Sequence, residues 1–340
     1  MTEADNILLT VNDLRVYFRG DETVSRAVDG ISYKIHRRET VCIVGESGCG
    51  KTVTALALMG LLPSGSAQIA GGQVLFDGED LLSLDEEALQ SIRGRKIAMV
   101  FQEPMTSLNP VFTIGDQIVE AIRIHNRMSP DSIHARSIQL LTDVGIVDAA
   151  RRLGDYPHQL SGGQRQRVMI AMALACEPDL VIADEPTTAL DVTVQAQILR
   201  LLHNLKETHH MAIQYITHDL SVVSAIADRV YVMYAGIVVE EATATSLFEN
   251  PHHPYTRALL AALPTREKRG QRLYTIPGAV PHPAYKPAGC PFHPRCRWRI
   301  ASCETDLPEM RVYGNGHLAR CPVTGDSVKT RPRGPGTGCP

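Results

Sequence analysis

Gly45-Glu46-Ser47-Gly48-Cys49-Gly50-Lys51-Thr52 follows the apolar run Thr40 to Val44 and precedes a helical pattern. Gly-x4-Gly-Lys-Thr between a strand and a helix is an arrangement that cradles phosphate. The glycines let backbone N–H groups converge on phosphate oxygens, and the helix N-terminus adds partial positive charge. Lys51 is placed to reach the β- and γ-phosphates of a nucleotide, and Thr52 to bind Mg²⁺ through its hydroxyl. A second apolar run, Leu180 to Ala183, ends in Asp184 and Glu185. One acid can hold the metal while the other polarises an attacking water. Leu160-Ser161-Gly162-Gly163-Gln164 precedes a helical stretch, Arg165 to Cys176. A serine-capped helix start presents free N–H groups and a helix dipole to an anion. Four cysteines, Cys290, Cys296, Cys303 and Cys321, crowd into a short Pro-, Arg- and His-rich stretch. Under reducing conditions, clustered thiols point to metal. The spacing lacks the paired Cys-x2-Cys of many zinc sites, and four thiolates suit an iron–sulfur cluster or zinc alike. His293 lies among them, as a spare ligand or a surface residue.

These residues need elements to position them. Ile7 to Phe18 holds two short β-like stretches; Thr40 to Val44, Val74 to Phe76, Ile97 to Phe101, Leu180 to Ala183 and Ala212 to Thr217 read as strands. Lys51 to Leu62 and Val194 to Thr208 read as helices. From Gly115 to Gly145 the pattern is helical, with Ile118, Ile122, Ile133, Ile138, Leu141 and Val144 on its apolar face and Gly145 at its end. Strands alternating with helices give an α/β core with a helical insertion at about 105–165. A composition shift near Asn250 opens a region rich in Pro, Arg and His and marks a domain boundary there.

Composition sets outer limits. Of 340 residues, 44% are hydrophobic and 21% charged, which excludes wholesale disorder. Lys and Arg total 34 against 37 Asp and Glu, so no overall basic charge marks a nucleic-acid binder. The longest strongly apolar run, Val168 to Cys176, is far shorter than the roughly 20 residues of a membrane span. The start, MTEADNILLT, shows no secretory signal, so a cytosolic chain with reduced cysteines is expected.

The ordered set of motifs resembles the ATP-binding-cassette ATPases: the phosphate loop (45–52), Gln102 in VFQEP, LSGGQ (160–164), LVIADE (180–185), Ala189-Leu190-Asp191, and His218 in YITHD. The resemblance implies an α/β cassette of about residues 1–250 that binds and hydrolyses MgATP in a head-to-tail cassette dimer. In it, Ser161 to Gln164 face the γ-phosphate on the other cassette, and Asp191 crosses the interface. It further implies that Glu185 polarises water, that His218 contacts the γ-phosphate, and that Gln102 joins Thr52 and Asp184 at Mg²⁺. An aromatic of LRVYF would stack on adenine, Phe18 rather than Tyr17. Two positions depart from the pattern. Arg38 stands where a glycine is common, which would strain it if the turn needs positive φ. Cys49 stands where serine is usual; at a helix N-terminus beside Lys51, its thiolate is expected to be favoured.

Asn250 to Thr256 (NPHHPYT), FQEPMTSLNP and YPHQLSGGQRQRVMIAMALAC resemble the ATPase subunits of dipeptide/oligopeptide importers, above all the D-type subunits of dipeptide permeases. Importers of nickel or other small solutes share these features; a soluble, non-transport cassette protein is the more distant alternative. The resemblance implies a peripheral protein at the cytoplasmic face of the cell membrane. Its partners would be a second, related ATPase, two transmembrane permease subunits and an extracytoplasmic solute-binding protein, with no nucleic acid. It assigns 251–322 to a C-terminal extension in which Cys290, Cys296, Cys303 and Cys321 hold a [4Fe–4S] cluster, zinc being the alternative. The stretch 323–340, with Cys339, reads as a disordered tail.

Overall fold

The computed structural model describes residues 6–20, 23–103, 107–188, 190–264, 270, 274–314 and 316–323. Ala189, Pro104 to Thr106 and the stretch 324–340 lie outside the described residues.

The first strands are β1 (Ile7–Arg19), β2 (Val24–His36), β3 (Thr40–Val44), β4 (Ala67–Phe76) and β5 (Glu79–Asp80). All but β3 form an antiparallel sheet in the order β2-β1-β4-β5. The two stretches expected in 7–18 are one strand. A register shift between Val11 and Leu14 interrupts it, with Asp13 at φ 46°, and this bulge breaks the alternation. The later strands are β6 (Ile97–Val100), β7 (Leu180–Asp184), β8 (Ala212–Thr217), β9 (Arg229–Tyr234), β10 (Ile237–Thr243), β11 (Arg311–Val312) and β12 (Leu318–Ala319). With β3 they form an eight-stranded sheet, β11-β12-β10-β9-β3-β8-β7-β6. Its β9-β3-β8-β7-β6 portion is parallel.

β3 and β7 are buried along their whole length. Cys42, Val44, Val181 and Ala183 face one core; Val41, Ile43, Leu180 and Ile182 face the other. A strand buried on both faces reads as an unbroken apolar run, which is why both were visible in the sequence. Helix α1 (Lys51–Leu58) and the antiparallel sheet share the second core. α2 (Glu86–Ile92) adds Ile92 to it.

The first core is closed by α3 (Ile114–His125), α4 (Pro130–Asp143), α5 (Ala149–Arg152), α6 (Gly162–Ala173) and α7 (Val192–His209). The single helical pattern over 115–145 is two helices. Thr113 caps α3 with a reciprocal bond to Asp116, and Ser129 with Pro130 starts α4. Ile118, Ile122, Ile133, Leu141 and Val144 are buried and Ile138 packs on them. Gly145 has φ 77°, as a helix-ending glycine should.

Beyond α8 (Leu220–Ile226) and α9 (Ala244–Glu249), α10 (Pro254–Ala262) opens the C-terminal region, which also carries α11 (Ser302–Thr305). β12 adds to the free edge of β10. Cys290, Phe292 and Cys303 belong to the cassette's own core cluster. The C-terminal region therefore folds onto the cassette rather than around a core of its own.

Candidate functional site

The loop between β3 and α1 is shaped by close approach. A side chain at Gly50 (φ 102°) would place its Cβ 2.5 Å from the Ala27 carbonyl, so glycine is required there. Gly48 is also left-handed, at φ 81°. The Lys51 ammonium donates to the carbonyls of Gly45 (2.8 Å) and Glu46 (3.2 Å), which holds it over the loop. Ser47, Gly48, Gly50, Lys51, Thr52, Gln102 and Glu185 line a cleft of about 230 Å³.

Both acids lie at the carboxyl end of β7. Thr52 Oγ1 donates to Asp184 Oδ1 at 3.2 Å, so the two oxygens expected at Mg²⁺ already face each other. Burial pushes the Asp184 carboxyl up and the Glu185 charge adds to this; the Thr52 hydroxyl and Lys51 oppose it. Glu185 has φ 44°, a conformation costing a non-glycine residue about 1–3 kcal/mol. Its N–H donates to Ile216 O at 2.9 Å. Its carboxylate accepts from Gln102 Nε2 (3.2 Å) and the Thr188 hydroxyl (3.0 Å) and stands 3.0 Å from His218 Nδ1. Lys51, Thr52, Gln102, Asp184, Glu185 and His218 are thus brought together, as the family resemblance implies. Thr188 was missed; it follows the acids by a few residues, and a threonine three positions past a carboxylate carries no motif of its own.

The signature segment stands apart. Ser161 caps α6, its hydroxyl accepting from Gln164 N while Gln164 Oε1 accepts from Ser161 N. Asp191 caps α7 through Thr193 N and Val194 N. A Cβ on Gly163 would meet Val194 at 2.8 Å, so the two helix starts abut. None of Ser161, Gly162, Gly163, Gln164 or Asp191 lines the phosphate cleft. Phe18 is half-buried and packs against the second core, while the Tyr17 phenol donates to Asp29; neither lines the cleft.

One cysteine expectation changes. Cys49 is fully buried, and that burial raises its thiol pKa against the opposing pull of Lys51. Desolvation outweighs the helix N-terminus here, so the thiol rather than the thiolate is favoured. Arg38 does adopt the left-handed turn, at φ 62°.

In the C-terminal region, Cys290, Cys303 and Cys321 are buried and Cys296 is half-buried, all unpaired. They converge: the charge of each of the other three raises the Cys321 pKa. Burial is the larger cause, pushing Cys290 up to about 11 and Cys321 up to about 12. Yet among the described residues no three Cys, His, Asp or Glu side chains are arranged to hold a metal ion. His293 is turned inward, its Nδ1 3.0 Å from Cys290 O.

A phosphate loop, a strand-end acid pair and a capped helix start outside their cleft define a nucleotide-hydrolysing cassette. The ABC transporter family matches residues 28–188, and the oligopeptide/dipeptide transporter C-terminal region matches 239–303. A probable peptide ABC transporter ATP-binding protein of Sinorhizobium fredii is 51% identical over 317 residues, 93% of this chain and 95% of that one. The dipeptide transport ATP-binding protein DppD of Escherichia coli and the oligopeptide transport ATP-binding protein AppD of Bacillus subtilis are each 48% identical over 314 residues, 92% of this chain and 96% of each relative. The ATP-binding cassette MJ0796, solved as a dimer in a post-hydrolysis state with ADP and Pi, matches with a TM-score of 0.63 at 29% identity, covering 70% of this chain and 99% of that one. The chain belongs to the ABC transporter ATP-binding proteins that carry the oligopeptide/dipeptide transporter C-terminal region. It is an ATPase of the transport-coupled class. Among the described residues no helix is long and apolar enough to cross a membrane.

Proposed function

We propose that this chain hydrolyses MgATP to drive import of dipeptides or oligopeptides, from the cytoplasmic face of the membrane. The observation that carries the mechanism is the Glu185 carboxylate, held at the phosphate cleft by Gln102, Thr188 and His218. Glu185 takes a proton from the attacking water, and His218 orients that carboxylate and meets the γ-phosphate. Lys51 exchanges its loop carbonyls for phosphate oxygens. Thr52, Asp184 and Gln102 would hold Mg²⁺, which would supply charge neutralisation at the phosphates. Phe18 is assigned to adenine. Ser161 to Gln164 and Asp191 act on the nucleotide of a second cassette; their position off this chain's cleft supports that assignment.

The same reading assigns residues 1–250 to the nucleotide-binding domain, with its helical subdomain at about 105–165, and 251–322 to the extension. The partners are a related ATPase, two permease subunits and a solute-binding protein. Cys290, Cys296, Cys303 and Cys321 are proposed as ligands of a [4Fe–4S] cluster. The mutual influence of the four thiols supports this. Anaerobically prepared chain should contain about four irons and matching sulfide, given four-cysteine ligation. Zinc in their place would transfer the site to the other metal, and absence of both would end the metal assignment.

The test is Glu185→Gln in the assembled transporter. MgATP binding should persist while hydrolysis falls at least about 100-fold, the low end for loss of a general base. Uptake of labelled dipeptide should stop with it. Undiminished hydrolysis removes Glu185 from the mechanism; uptake of nickel but not peptide moves the substrate.

A further inference from the structure

The phosphate loop carries an acid that the hydrolytic mechanism does not use. Glu46 follows Gly45 directly, where a free carboxylate would oppose the charge of incoming phosphates. Lys51 is not its counter-ion, since the ammonium is bonded to the Gly45 and Glu46 carbonyls. The counter-ion comes from the C-terminal extension. Arg295 Nη1 donates to both Glu46 carboxylate oxygens, at 3.0 and 3.2 Å. The side chain of Arg295 is only 5% exposed. Nη1 also donates to the Tyr234 hydroxyl at 3.2 Å, and the other donors are fixed too, Nε on Pro277 O at 2.9 Å and Nη2 on Ile276 O at 3.5 Å. The guanidinium lies over the rings of Tyr234 and Phe292.

The loop backbone is held as well. Glu46 N donates to the hydroxyl of Tyr255 in α10 at 2.8 Å. Tyr255 is fully buried and its ring packs on Tyr234 and Phe292, with centroids 4.7 and 5.4 Å away. One loop residue is therefore gripped through its N–H and its carboxylate by two side chains more than 200 positions away.

We infer that Arg295 and Tyr255 are positioning residues for the nucleotide, through which the C-terminal extension sets the affinity of the phosphate loop for MgATP. Arg295 draws the Glu46 carboxylate away from the phosphate cradle, and Tyr255 fixes the peptide plane that begins it. The inference rests on the cleft being the ATP site, but not on the role of Glu185 or on the transported solute.

The test is equilibrium binding of MgATP to the full-length chain, with thermal unfolding as a control for folding. Arg295→Ala should weaken binding on the order of tenfold, the scale of one charge-assisted hydrogen bond. Arg295→Lys should keep most of the affinity. Adding Glu46→Gln to Arg295→Ala should restore binding to within about twofold of the parent, because the repelling charge is gone. Tyr255→Phe keeps the ring packing, removes only the acceptor, and should weaken binding a few-fold. A merely structural Arg295 would not be rescued by Glu46→Gln, because its bonds to Pro277 and Tyr234 stay lost. Parental affinity in both Arg295→Ala and Tyr255→Phe, or a double variant as weak as Arg295→Ala, overturns the inference. Failure of MgATP to bind the parent chain would instead remove the ATP-site assignment beneath it.

Discussion

Glu185 shows what residue type alone conveys and what it hides. An acid pair after an apolar run announces the chemistry, but nothing in LVIADE foretells that Glu185 takes φ 44°. The left-handed backbone turns its carboxylate out of the strand's alternation towards Gln102 and His218, whose own motifs were separately visible. The cost of about 1–3 kcal/mol is carried by β7 and β8, which are buried throughout. Glu185→Gln preserves this backbone and the donors around it, so its expected loss of hydrolysis isolates proton acceptance from positioning. Cys49 is the opposite case. Its neighbours in sequence promised a reactive thiolate, and its burial, set by packing across from Gly45, reverses that. Local sequence records which charges are adjacent along the chain; it does not record how much water remains.

At the scale of elements, strands buried on both faces and the helices α1, α6 and α7 were legible. β2, β9 and β10 were missed, as was the break between α3 and α4. β2 mixes polar and apolar positions through bulges, and Ser129-Pro130 was a start signal that the continuing apolar face obscured. The junction of cassette and extension was legible only as composition. There Glu240, at the end of the cassette, is fully buried and accepts from His252 N (2.6 Å) and His253 N (2.9 Å), while His317 Nε2 lies 2.7 Å away. His253 caps α10, its unprotonated Nδ1 accepting from Tyr255 N at 3.1 Å. Burial lowers the His253 pKa to about 4, against a partial opposing pull from Glu240. A lowered histidine pKa means that the unfolded chain binds more protons between the ordinary value of 6.5 and about 4. Stability from this group is therefore complete above 6.5 and declines as pH falls through that interval. Burial pushes the Glu240 carboxyl up, but His317, the His252 N–H, Thr256 and the His253 N–H together bring it below its ordinary value, so it keeps its contribution until pH drops below 4.5. Acidification from pH 7 to 5 should lower the protection factors of the α10 amides, measured against their intrinsic exchange rates at each pH. His253→Asn retains a capping acceptor without the titration and should flatten that dependence. Equal acid sensitivity in the His253→Asn chain would assign the effect elsewhere.

At the scale of the whole molecule, the chain carries two anion-binding devices that it cannot apply to one nucleotide. The phosphate loop opens at the end of β3, and the N-terminus of α6, capped by Ser161, does not line that loop's cleft. Ser161 and Gly162 are exposed, while the body of α6 is anchored in the first core by Val168, Met169 and Ile170. Swinging α6 to its own cleft would uncover those side chains, each worth about 1.5–3 kcal/mol when buried. In the proposed head-to-tail arrangement a second cassette would satisfy both devices without that cost, and two nucleotides would complete two composite sites. Hydrolysis should accordingly be a property of the pair. Specific activity should rise with concentration, whether of this chain or of its related partner. MgATP should shift Glu185→Gln protein from monomer to dimer in sedimentation, since that variant binds the nucleotide without consuming it. A specific activity that stays constant across concentrations at which the protein sediments only as a monomer would show that one cassette suffices. The α6 N-terminus would then be a capped helix start and nothing more.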